Sequence, residues 1–174
     1  SSPAGRSEDL TPPASWTLWH GREVIALMGA PGSGKSTSAA GYPYVVTTDA
    51  LRILSGADGT LPAGAAGKVY REAFRQLVRH LRANRRVVFD TPLTNPAVRA
   101  RVLGLAETYH ARATLVVFDT PVEVCIAHQA GRTHPVPAEV VTRIHAEIAA
   151  QEPRLAGEGW HRVVHAPSDL APVH

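Results

Sequence analysis

The chain has 174 residues, of which 44% are apolar and 19% charged, with a formal net charge of +3. That is the length of one domain built around a single sheet, too apolar to stay disordered, and no apolar run approaches the ~20 residues that span a bilayer, so a soluble, cytoplasmic protein is expected. The single cysteine, Cys125, excludes a disulfide framework or a multi-cysteine metal site, and the mildly basic balance suits a nucleotide or nucleic-acid partner without requiring one.

Residues 1–15 are rich in Ser, Pro, Gly and Ala and lack apolar periodicity, which reads as a flexible leader to one domain over residues 16–174. Trp16 and Trp19 open the packed part, covering a sheet edge. Val24-Ile25-Ala26-Leu27-Met28 is a short apolar run of the kind that forms a buried parallel strand. It leads into Gly29-Ala30-Pro31-Gly32-Ser33-Gly34-Lys35-Ser36-Thr37, a full match to G-x-x-x-x-G-K-[ST], after which Ser36 to Ala40 can open a helix. The glycines allow a tight turn with N–H groups aimed inward, Lys35 reaches β and γ phosphates, and the helix N-terminus adds partial positive charge. Ser36 places its hydroxyl on Mg²⁺. A nucleoside triphosphate is therefore the expected ligand.

Gly41-Tyr42-Pro43 stops the first helix, and Tyr44 to Thr48 is a β-branched strand that delivers Asp49 at its carboxyl end, with Arg52 three residues on. Ligands of open α/β sheets sit beyond the carboxyl ends of the strands, so Asp49 faces the phosphate loop; it can equally cap a helix from Ala50. Ser55 to Gly67 reads as a glycine-rich surface loop at the rim of the site. Lys68 to Asn84 is a helix with an apolar stripe at Tyr70, Phe74, Leu77, Val78 and Leu81, and Arg71, Arg75, Arg79 and Arg82 share its other face, which reads as a solvated face and could also track a phosphate backbone. Val87-Val88-Phe89-Asp90 is a third strand ending in a carboxylate, where phosphate-loop proteins keep an acidic group near metal or acceptor. Asn95-Pro96 caps a helix to about Tyr109, and Leu115 to Asp119 is a fourth strand. Thr120-Pro121-Val122-Glu123 has the spacing of a capping box, and Cys125 follows it as a small buried hydrophobe. Gln129 to Val136, with Arg132 and His134, interrupts two helices, Pro137 starts the second of them, and Trp160 to His165 supplies a short fifth strand. The alternation predicts an α/β fold: a parallel sheet of four to five strands, helices on both faces, and a short lid.

A GTP-specific switch calls for an Asn-Lys-x-Asp base reader, which is lacking, and large ATPase machines need more chain. A small phosphotransferase remains, in which Asp49 takes the proton of an acceptor hydroxyl and the segment around Arg132 closes over the phosphates. Val46 to Arg52, Val88-Phe89-Asp90-Thr91, Val117 to Cys125, and Arg132 followed by Val136-Pro137 together resemble the 5′-OH polynucleotide kinase modules of bacterial and phage end-healing enzymes, a P-loop kinase group, over roughly residues 22 to 165. The resemblance implies ATP and Mg²⁺ as cofactors and 5′ ends of single-stranded or nicked nucleic acid as partner. It makes Asp49 the general base on the 5′-OH, gives Arg52 the substrate phosphate with Asp90 on the acceptor side, and assigns Lys35 and Arg132 to the transferring phosphate. Asp90 is here followed by Thr91-Pro92-Leu93-Thr94-Asn95, and the lid holds Arg132 with His134 nearby and Arg143 in the next helix. Small-molecule kinases of the same superfamily, acting on antibiotic, nucleotide-sugar or other metabolite hydroxyls, form the second reading. A nucleotide-binding regulatory module without turnover is the third.

Overall fold

The structure, a computed structural model, describes residues 21–54 and 60–166, apart from the side chain of Arg52. The leader, Trp16, Trp19 and the Ser55–Gly59 part of the glycine-rich loop lie outside the described residues. In chain order the elements are β1 (Glu23–Met28), α1 (Lys35–Ala39), β2 (Val45–Thr47), α2 (Ala50–Leu54), α3 (Ala65–Arg82), β3 (Arg86–Asp90), α4 (Pro96–Thr108), β4 (Arg112–Phe118), α5 (Val122–Gln129), α6 (Ala138–Leu155) and β5 (Arg162–Ala166). The five strands form one parallel sheet in the order β2-β3-β1-β4-β5. This is the α/β architecture that the alternation of strand and helix signals predicts, with Arg162–Ala166 as the fifth strand.

β1 lies at the centre, paired with β3 from Glu23↔Arg86 to Leu27↔Asp90 and with β4 from Glu23↔Arg112 to Met28↔Val117. All six of its residues are buried; the five from Val24 to Met28 are apolar, as in a strand covered on both faces, and Glu23 at its start pairs with Arg86 at 2.7 Å. From β1 the chain first moves to the β2 edge and then crosses the other way at every later step, over β1 to β4 and on to β5. Right-handed crossovers therefore put α1 on one face and α3, α4 and α6 on the other. The core divides accordingly. Val24, Ala26, Met28, Phe89, Leu115 and Val117 pack with Leu77 and Leu81 of α3, Val102 of α4 and Val141 and Ile148 of α6. The alternate residues Ile25, Leu27, Val88, Val116 and Phe118 pack with Ala39 of α1.

Local signals explain most element boundaries. Asn95 caps α4, its Oδ1 accepting from the Ala97 N–H at 2.9 Å, with Pro96 at the first helical position. The expected capping box at Thr120 does not form: Pro121 is the N-cap of α5, with no side-chain cap bond, because the Thr120 hydroxyl donates to the Ser33 carbonyl of the phosphate loop at 2.8 Å. A loop carbonyl has outcompeted a local helix cap. Arg71, Arg75, Arg79 and Arg82 are exposed, and Arg75 pairs with Glu72 at 2.7 Å, as a solvated helix face requires. Cys125 is fully buried. Burial pushes its thiol up, with the Lys35 charge opposing, so it sits in the core as a small hydrophobe. Among the described residues no helix is long and apolar enough to cross a membrane.

Candidate active site

The chain order reverses at β1, so the crevice of this sheet opens at its carboxyl end, where the phosphate loop leaves. Gly32 and Gly34 have φ of 86° and 103°, a region that favours glycine, and Gly34 is the N-cap of α1. At Gly32 a side chain is excluded twice over, since a Cβ there would come within 2.2 Å of the Cys125 carbonyl oxygen. The loop is thus seated on α5. Thr120 holds the Ser33 carbonyl, His128 Nδ1 lies 2.7 Å from the Gly32 carbonyl, and His145 Nε2 lies 3.0 Å from the Thr120 carbonyl. On the other side the Gly29 N–H donates to the Pro92 carbonyl at 3.3 Å. Such a backbone is preorganised to offer the first-turn N–H groups of α1 to an anion.

Lys35 is buried, and its ammonium donates to the carbonyls of Gly29 at 2.8 Å and Ala30 at 3.3 Å. Burial pulls its pKa below the usual lysine range; the nearby carboxylates of Asp90 and Asp49 pull it back, and the Arg132 charge adds to the lowering. The Ser36 hydroxyl donates to Asp90 Oδ2 at 3.1 Å. An alcohol and a carboxylate so placed beside the phosphate loop fit Mg²⁺, which takes one or two protein oxygens and completes its shell with phosphates and waters. Asp90, expected on the acceptor side, therefore also reaches the side of Ser36. Asp49 lies two residues past the end of β2, its N–H donating to Thr47 Oγ1 at 3.0 Å, and it is exposed.

These residues share a cleft of about 290 Å³, lined by Gly32, Gly34, Lys35 and Ser36 of the loop, by Asp49 and Asp90, and by Arg132 and Arg143 from the lid side. Leu51, Leu61 and Tyr70 line it beyond Asp49, and Val140, Ile144 and Glu147 line it from α6. An adjoining cleft of about 320 Å³ shares Ser36, Thr47, Asp49 and Asp90 with it, so the two carboxylates are reached from two sides. Of the expected site residues, Pro31, Gly32, Gly34, Lys35, Ser36, Asp49, Asp90 and Arg132 line this one cleft. Gly29, Ala30, Ser33 and Thr37 belong to the same turn without lining the cleft, and Arg52 has its backbone in α2 and its side chain outside the description. His134 is exposed and does not line the cleft.

Sequence reasoning missed the supports of this site. Thr91 lines the cleft, 2% exposed, and its hydroxyl pairs with that of Tyr70 at 3.0 Å. Arg99 is wholly buried and bonds to the Leu93 carbonyl at 2.8 Å, to Gln151 Oε1 at 2.8 Å and to both oxygens of Glu158. Leu93 has a φ of 58°, unusual for a residue with a Cβ, and sits in the segment whose Thr91, Pro92 and Thr94 line the cleft. Only the arginine, set among the apolar positions of a helix, hinted at this in the sequence.

No curated protein sequence matches the chain. The fold is shared with a chain of an RNA repair complex, Pnkp1/Rnl/Hen1, at a TM-score of 0.65 and 20% identity over 82% of this chain and 49% of that one. It is shared with a second structure of that complex at 0.52 and 24% identity, over 62% of this chain and 39% of that one. A sugar kinase from Janibacter sp. HTCC2649 matches at 0.51 and 19% identity, over 83% of this chain and 85% of that one. The chain thus spans half or less of the repair-complex chains it is similar to. The likeness is one of fold, that of the P-loop kinases. The sequence profile of a family described as an AAA domain, AAA_33, matches residues 24–152, well over half of the chain, and the chain, whose phosphate loop and strand-end carboxylates all fall in that span, belongs to this family of P-loop domains.

Proposed function

We propose that the protein is an ATP-dependent phosphotransferase that moves the γ-phosphate to an acceptor hydroxyl, the 5′-OH of a polynucleotide end. The observation that carries this reading is the convergence of Lys35, the Ser36–Asp90 pair, Asp49 and Arg132 on one cleft at the carboxyl edge of the sheet. Phosphoryl transfer asks little covalent chemistry of a protein and much positioning and charge compensation. The turn from Gly29 to Thr37 and the α1 N-terminus bind the phosphates, and Lys35 leaves the loop carbonyls for their oxygens. Ser36 and Asp90 would hold Mg²⁺, which when bound supplies positive charge to the phosphate oxygens. Asp49 accepts the proton of the attacking hydroxyl, and Arg132, brought over the phosphates by the lid, compensates charge on the transferred group while the lid excludes water. Arg52 is one turn from Asp49 and holds the acceptor's phosphate. Access to Asp49 from two sides suits a chain end meeting a nucleotide head-on.

One observation favours a small acceptor instead. The cleft is also lined by Leu51, Leu61, Val140 and Ile144, an apolar share that a small acceptor can fill, while Glu147, paired with Arg143 at 3.8 Å, can accept from the hydroxyls of a neutral polyol. Transfer from γ-labelled ATP to 5′-OH oligonucleotides at low salt, run beside a panel of sugars and other small alcohols, decides between them. Label in oligonucleotide that falls away with salt supports the polymer; label in a small alcohol alone moves the assignment.

A further inference from the structure

Gln129 closes α5 at 2% exposure and has no part in the transfer scheme above. Its main-chain carbonyl accepts from the Arg132 N–H at 3.0 Å, and its side-chain Oε1 accepts from the Val136 N–H at 2.9 Å. Pro135 and Pro137 have no N–H, so Val136 carries the one main-chain donor of that tripeptide, and Gln129 takes it. Both ends of the lid turn are tied to one residue. The second bond also fixes the amide's orientation: only its oxygen can accept from Val136, so Nε2 points the other way. Nε2 is buried and has no hydrogen-bond partner among the described residues, although Gln129 lines the cleft with Gly32, Lys35 and Arg132. Its place along α5 says what it faces. Gln129 lies one turn beyond Cys125 on the same side of the helix, and Cys125 is the residue on which Gly32 rests. A buried N–H₂ without an acceptor is costly, and the acceptor this corner is shaped to hold is an anionic oxygen.

We propose that Gln129 bridges lid and nucleotide: Oε1 holds Val136 while Nε2 donates to a polyphosphate oxygen, so the segment that carries Arg132 is set in register by the phosphates themselves. The inference rests on the nucleotide-binding reading above. Calorimetric Kd values for Mg-ATP and for inorganic tripolyphosphate, measured on wild type, Gln129→Glu and Gln129→Met, test it together with hydrogen exchange at Val136. Gln129→Glu keeps the acceptor for Val136 and removes the donor, so both ligands bind about tenfold or more weakly while the Val136 amide stays protected. Gln129→Met has a similar shape and neither polar atom; both affinities fall and Val136 exchanges fast, without a lower melting temperature in the absence of ligand. The first variant adds a charge and the second frees the lid, so weaker binding common to both is the signature of the lost contact. Wild-type affinities in both variants overturn the bridge and leave nucleotide binding standing. Weaker ATP with unchanged tripolyphosphate moves the contact to sugar or base and overturns it as stated. A wild type that binds neither ligand overturns both readings at once. If Gln129→Glu does not fold, Gln129→Met is read against Val136→Pro, which frees the lid but keeps Nε2: weaker binding in Gln129→Met than in Val136→Pro supports the bridge, and equal binding overturns it.

Discussion

Lys35 stores a proton question. Its folded pKa is lowered from 10.5, so between that lowered value and 10.5 the unfolded chain holds more protons than the native one. The sign follows: the cost of the buried ammonium is fully present below the folded pKa, and stability rises with pH through that window. Bound phosphates favour the charged form, so nucleotide binding takes up protons on the alkaline side. Calorimetry in buffers of different ionisation enthalpy should detect that uptake, and Lys35→Met should abolish it together with transfer. At Asp49 the expectation concerns rate: Asp49→Asn should leave ATP affinity nearly unchanged and lower turnover by about 10²-fold or more, the scale of a lost general base. Full rate in that variant, with Asp90→Asn inactive, would hand the role to Asp90. Both residues were legible in the sequence because a loop motif and a strand end are local. Gln129 was not, since its side chain bonds to the Val136 N–H seven residues on, a spacing that no helix cap or standard turn announces.

Elements carry the next set of expectations. The lid from Ala130 to Pro137 joins α5 to α6 and carries Arg132, half-buried at the cleft. Arg132→Ala should lower kcat by about 10²–10³ with a smaller change in nucleotide Kd, and Arg132→Lys should recover only part, because a point charge cannot bridge two oxygens. Single-turnover rates beside equilibrium binding separate the two effects. Behind the lid, Arg99 ties α4 to Gln151 of α6, to Glu158 and to the segment after β3. Burial alone would raise the Glu158 carboxyl, but bonds from Arg99 and Trp160 outweigh it and hold it below its usual range. That stabilisation is present above the unfolded value of 4.5 and is lost as pH falls through the lower folded value. Arg99→Met should cost about 3–5 kcal/mol at neutral pH by leaving the half-buried Glu158 carboxylate and the Leu93 and Gln151 oxygens without their donor. Arg99→Met combined with Glu158→Leu should recover much of it; urea melts at pH 7 and in acid check both statements. Helix starts at Asn95-Pro96 could be read from sequence because the cap partner is two residues away. Thr120 misled for the opposite reason: its hydroxyl chose an acceptor far back in the chain.

At the scale of the whole molecule, ligand and fold share one sheet edge, so nucleotide should act as a stabiliser. Mg-ATP at a hundredfold excess over its Kd should add about 2.7 kcal/mol, seen as a melting shift of several degrees that Lys35→Ala loses. The order of strands was legible only as parallel alternation, because nothing in a run such as Val24–Met28 says which later run will lie beside it. That central position has a consequence for synthesis. A chain emerging from the ribosome presents β1 before either of its neighbours: β3 must be made before the first pairing forms, and β4 before the second. β2 cannot help, since among the described residues it pairs only with β3. For that interval an apolar strand and the phosphate loop behind it have no sheet to join, which is when a nascent chain is most exposed to misassociation. Nascent chains halted before Arg86 should therefore be open to protease at Val24–Met28, and chains halted after Phe118, once clear of the ribosome, should be the first in which that stretch is protected.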